Sequence, residues 1–145
     1  MSSAAATNIV QPAAHSRALV YGGISVNADI PVGSVELWRT EAIQKVIAFG
    51  KLPHNWDGRG SAAPGLGVRQ AAIELLMRVP SVGAPRIVPT SAGGCHFEWS
   101  VGERELEISL EPNCRLEVLQ VEHGMPLEED PNLDLSALFG WLISE

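Results

Sequence analysis

Apolar side chains recur at two different periods along this chain. Between residues 34 and 80 the period is helical. Val35, Trp38, Ala42, Ile43, Val46, Ile47 and Phe49 share one helical face, the pattern of an amphipathic helix. Ser34 suits the N-cap, Glu36 sits in the first turn where the helix dipole favours a carboxylate, and Gly50 suits the C-cap. After a polar, Gly-rich loop over 54–61 a second helix is expected, with Pro64 near its start and Pro80 at its end. Its apolar face is Val68, Ala71, Ala72, Leu75, Leu76 and Val79.

Beyond Pro80 the period drops to two. Residues 86–90 read as a short strand, and Pro89, which has no N–H to donate, places it at a sheet edge. Cys95, Phe97, Trp99 and Val101 alternate with His96, Glu98 and Ser100; Leu106, Ile108 and Leu110 alternate with Glu105, Glu107 and Ser109. A two-residue turn at Gly102-Glu103 pairs Trp99 with Leu106 and Phe97 with Ile108, so both apolar sets face the same way. A three-residue turn at Pro112-Asn113-Cys114 then pairs Leu110 with Leu116 and Ile108 with Val118, and sets Glu111 opposite Arg115. Asp130-Pro131 reads as an N-cap followed by Pro at the first helical position, opening a short helix that carries Leu135, Leu138, Phe139, Leu142 and Ile143. The expected fold is therefore α+β, with two N-terminal helices packed on a 3–4-stranded antiparallel β-meander and a short C-terminal helix. Three stretches follow: a disordered tail over 1–17, an extended arm or short hairpin around Gly22-Gly23 over 18–33, and one α+β domain over 34–145.

Composition narrows the function classes. The chain has 145 residues, 46% of them hydrophobic, enough to bury a core without disulfides or metal. Its formal charge is −7 and its ten Lys and Arg are scattered, whereas a nucleic-acid binder carries a basic patch. The acidic balance suits solubility or a basic protein partner. Two cysteines, Cys95 and Cys114, make no disulfide framework, and a reducing cytoplasmic location is the default. No secretory signal and no membrane span are expected.

Three groups of residues carry candidate chemistry. The loop His54, Asn55, Trp56 and Asp57 offers an imidazole, a carboxamide, an indole and a carboxylate. The same residue types also serve a plain helix–helix loop, with Asn55 and Asp57 forming Asx turns and Trp56 plugging the core. Cys95, His96, Cys114 and His123 lack the spacing of a zinc finger or ribbon, and strand alternation sends Cys95 inward and His96 outward. No stoichiometric metal and no cofactor are expected. Glu98, Glu105, Glu107 and Glu117 fall on the outer sheet face, with Glu98 directly opposite Glu107. Such a pair destabilises the sheet unless a cation covers it. It marks either solvated surface, a docking face for a basic partner, or acid–base machinery. No nucleophile elbow, Walker loop or dinucleotide fingerprint is present in the sequence.

The motif Leu52-Pro53-x-Asn55-Trp56-Asp57-Gly58-x-Gly60, followed by Pro64, Pro89-Thr90, Gly93-Gly94 and Glu98-Trp99, resembles a set of small uncharacterised bacterial proteins that share an LPxNWDGxG…P…PTxxGGxxxEW layout. The resemblance spans roughly residues 35 to 122. It implies a shared fold-like layout and a bacterial origin, and it brings no mechanism. Three functions are weighed. One is a non-enzymatic interaction protein, antitoxin- or immunity-like or an accessory subunit of a bacterial or phage-related system, using His54, Asn55, Trp56, Asp57, Glu98, Glu107 and Glu117 as candidate binding residues. Another is a small hydrolase or lyase using His54 and Asp57. The third is a homo-oligomeric structural protein joined edge to edge. Neither direct nucleic-acid binding nor membrane association is expected.

Overall fold

A computed structural model describes residues 17–21, 24–28 and 36–145. The chain is α+β, and its main sheet is a single antiparallel meander in the order β3 (Arg86–Pro89), β4 (Cys95–Val101), β5 (Arg104–Leu110), β6 (Leu116–Glu122) and β7 (Met125–Pro126). The turns have the lengths that the alternation requires. Val101 pairs with Arg104 across two residues, and Leu110 pairs with Leu116 across a loop in which Cys114 adopts φ 69°. The fifth strand was not expected. It arises at His123-Gly124, two consecutive left-handed residues with φ 52° and 77°, the combination that closes a tight hairpin.

Three helices cover one face of the sheet: α1 (Leu37–Ala48) near β3, α2 (Leu66–Arg78) near β4, and α3 (Leu135–Ile143) near β4 and β5. Ile87, Cys95, Phe97, Trp99, Leu106, Ile108 and Leu110 supply the sheet's half of the core. The helices add Ile43, Val46, Ile73, Leu76, Phe139 and Leu142, all essentially inaccessible. Trp99 meets the edge of Phe139 at a centroid distance of 4.8 Å and 87° between planes, a favourable geometry for two buried rings. Gly94 shows why the β3–β4 turn is glycine-rich. A Cβ there would lie 2.2 Å from the Leu110 carbonyl oxygen, so only glycine lets β5 pass at this distance.

The remaining two strands, β1 (Arg17–Tyr21) and β2 (Ile24–Ala28), pair antiparallel with Tyr21 opposite Ile24, and β2 runs beside α2. The tail expected over the first residues, the Ser34 cap and Val35 lie outside the described residues. No described helix is long and apolar enough to cross a membrane.

Several local expectations are corrected. Helix α1 starts at Leu37 with Glu36 as its N-cap residue, and Gly50 lies inside a 3-10 turn over Phe49–Lys51 rather than at a left-handed cap. Asp134, not Asp130, caps α3, accepting from the Ala137 amide at 2.8 Å. Asp130 instead forms a turn ahead of it, accepting from the Asn132 amide. In α2, Ile73 and Met77 are buried as well as Val68, Ala72, Leu75 and Leu76 of the expected stripe, while Ala71 is half-buried, because the helix has β4, α1 and β2 around it.

Candidate functional site

The loop between α1 and α2 is knitted from its own polar groups. Asn55 takes φ 63°, its side-chain oxygen accepts from the Gly60 amide, and its own amide donates to the Ser61 carbonyl at 2.7 Å. The Asp57 carboxylate accepts from the Arg59 amide at 2.8 Å and from the Ser91 hydroxyl. The Ala62 amide reaches the Ser91 carbonyl at 3.2 Å. The loop is thereby stapled to the β3–β4 turn. Trp56 is half-buried and donates to the Ala62 carbonyl at 3.0 Å. It closes the loop and is absent from the core cluster, which corrects its expected role as a plug between the helices. His54 is exposed.

These bonds fix the electrostatics of Asp57. The hydroxyls of Ser61 and Ser91, and then the Arg59 amide, hold its carboxyl down at about 2 against an ordinary 3.8. A carboxylate so stabilised is a poor proton acceptor near neutrality. That weakens the hydrolase reading built on His54 and Asp57.

The outer sheet face brings together what the sequence kept apart. Glu98 lies opposite Glu107 in the β4–β5 register, as expected. Between their carboxylates stands His96, two residues before Glu98 and on the same side of the pleat. Its Nε2 is 3.2 Å from Glu98 Oε2 and 3.3 Å from Glu107 Oε1, and its Nδ1 is 2.9 Å from Ser109 Oγ. Arg86, from the neighbouring β3, reaches the same Glu98 oxygen at 3.0 Å. Arg86 therefore offsets the Glu98–Glu107 repulsion from the β3 side, and the His96 Nε2 stands between the two carboxylates. The sequence did carry the signal, since His96 and Glu98 share a face at spacing two. Glu117 is exposed on the same face but pairs with Ser109, one strand away from the cluster.

Two arginines with structural roles were missed by periodicity. Arg39 is buried within the apolar stripe of α1 and donates to the carbonyls of Leu76 and Val79 at the end of α2, the latter at 2.7 Å. Its second nitrogen meets Glu36 at 2.9 Å, and Glu36 also accepts from Trp38 and Ser81. Those bonds, led by the Ser81 hydroxyl, lower the Glu36 pKa. Arg104 binds Glu122 at 2.8 Å and donates to the Trp141 and Ser144 carbonyls at the end of α3. Each arginine donates to carbonyls at a helix C-terminus, where the intrahelical ladder runs out of N–H donors.

The sheet edges differ as well. In β3 the proline removes a donor. In β6 the alternation of paired residues follows from the bonds Glu111 N–H to Arg115 and His123 N–H to Glu103. It directs the odd-numbered residues of β6 toward β5 and the even-numbered ones outward. Strand β7 reaches only Val121 and Glu122, and Leu127 binds the Gln120 carbonyl. Leu116 and Val118 therefore point N–H and C=O groups out of an edge that no strand among the described residues covers, next to the exposed side chains of Leu116 and Leu119. Compared with known proteins, the chain matches no family model, and no curated sequence or solved structure shows significant similarity to it.

Proposed function

We propose that this protein is a non-enzymatic binding partner, of the antitoxin, immunity or accessory-subunit kind, that docks a basic protein on the outer face of its sheet. The observation that carries the reading is that face itself. Glu98, Glu105, Glu107 and Glu117 project from three adjacent strands on the side opposite the helices. The bonding of the loop supports the same conclusion, because Asn55, Trp56 and Asp57 are occupied in holding it closed. The test is capture of the co-transcribed partner, followed by association kinetics at rising salt. Docking through this face predicts an on-rate that falls with ionic strength and falls again in the Glu98→Gln/Glu107→Gln variant. A wild-type on-rate in that variant overturns the reading.

A second reading, self-association edge to edge, is favoured by the open half of β6. Arg115 and Glu117 flank Leu116, so two copies pairing antiparallel about Leu116 would set Arg115 of each opposite Glu117 of the other. Val118→Pro removes an outward N–H without touching the β5 ladder. If self-association occurs there, this variant sediments as a monomer where wild type does not.

A further inference from the structure

We infer that His96, Glu98 and Glu107 form a binding site for a divalent transition-metal cation of the zinc type on the outer sheet face. The inference stands apart from the docking of a protein partner and does not depend on it. It differs from the cysteine–histidine set weighed from the sequence, because its three donors come from one face of two paired strands.

Geometry comes first. The Nε2 atom lies 3.2 and 3.3 Å from one oxygen of each carboxylate, and all three donor atoms fall within 4.8 Å of one another. Zinc bonds of about 2.0–2.1 Å to nitrogen and oxygen at tetrahedral angles separate the ligand atoms by about 3.3 Å. Two of the three edges already have that length, and rotation of either glutamate about its terminal torsions closes the third. The strands fix the rest of the frame, since Glu98 and Glu107 are register partners and His96 stands one pleat away on the same side.

Chemistry selects the ion. When Nδ1 donates its hydrogen to the Ser109 hydroxyl, Nε2 presents a lone pair to two carboxylate oxygens. A serine hydroxyl holding the far nitrogen is the kind of outer partner that orients a ligating imidazole. Three lone pairs then converge on one point with two formal negative charges, an arrangement that a cation at its centre neutralises. One imidazole with two carboxylates suits zinc and its neighbours, whereas calcium and magnesium take oxygen ligands alone. The side chains of His96, Glu98 and Glu107 are 20%, 34% and 28% exposed, which leaves an open side for entry and for water as the fourth ligand. Arg86 opposes the metal, since it occupies the same Glu98 oxygen.

The test uses the full chain, freed of metal with chelator and titrated with Zn(II) by calorimetry at neutral pH. One ion per chain is expected. Glu107→Gln should weaken binding by at least about tenfold, because losing a ligand costs no less than losing an outer partner, itself about 10–100-fold. Arg86→Gln should tighten binding, an effect that no purely structural role of these residues produces. Thermal unfolding in chelator checks that each variant is folded. No binding at sub-millimolar Zn(II) would mean that a proton on Nε2 bridges the glutamates and would overturn the inference. Binding that is unchanged in Glu107→Gln would place the ion elsewhere and overturn it equally.

Discussion

At the scale of single residues, the loop aspartate and the two cysteines behave in opposite ways. Asp57 is ionised and held so by hydroxyls. Its folded pKa of about 2 lies below the unfolded 3.8. It therefore contributes stability that is full above pH 4 and is lost as pH falls through 2. Asp57→Asn should unfold at a lower temperature than wild type near neutrality, and the difference should shrink between pH 4 and pH 2; a constant difference across that window would refute the assignment. Cys95 faces the core, and burial pushes its thiol up to about 12. Cys114 is exposed in a turn. A thiol reagent should modify one equivalent per native chain, at Cys114, and a second only after unfolding, since the thiolate is the reactive form.

At the scale of elements, two arginines join what the apolar stripes bring near. Arg39 interrupts the hydrophobic face of α1, yet its guanidinium satisfies two carbonyls at the end of α2 and a carboxylate at the start of α1. Truncating it leaves those carbonyls without a donor in a buried place. Arg39→Ala should cost about 3 kcal/mol in denaturant unfolding. Arg39→Lys should recover only part of that, because a single ammonium cannot reproduce the planar fork that spans three acceptors. Arg104 plays the matching part for α3, and its loss should raise amide hydrogen exchange over Leu135–Ile143 before it affects the sheet.

At the scale of the whole molecule, the sheet separates a cluster of glutamates from the helices and the core. The helices and core occupy one side, and Glu98, Glu105, Glu107 and Glu117 occupy the other. The Glu98–Glu107 pair alone would repel, and its removal would stabilise the domain. With Arg86 held on Glu98, removal also takes away attraction. Glu98→Gln/Glu107→Gln should thus leave the unfolding free energy within about 0.5 kcal/mol of wild type. Slower association with a basic partner in the same variant then reports on steering rather than on damage to the fold.

The sequence by itself determined the helices and the four-stranded part of the meander from β3 to β6 with its register, because periods of 3.6 and 2 and the lengths of the turns are local properties. Phe97 opposite Ile108 and Glu98 opposite Glu107 follow from a two-residue turn and from nothing else in the fold. It also contained the loop's bonding potential, in the Asx and glycine chemistry of residues 55–60. Contacts between residues distant in the chain were decided only by tertiary structure. Asp57 meets Ser91, 34 positions away, and Arg39 meets Val79, 40 positions away; no period encodes either. Arg86 reaches Glu98 only because β3 lies beside β4. Burial shows the same division. Leu116 and Val118 carry the inward pattern of their strand, but the helices sit near β3, β4 and β5, so Leu116 stays exposed and Val118 half-buried. Alternation dictates which way a side chain points, and only the packing of other elements decides whether anything covers it.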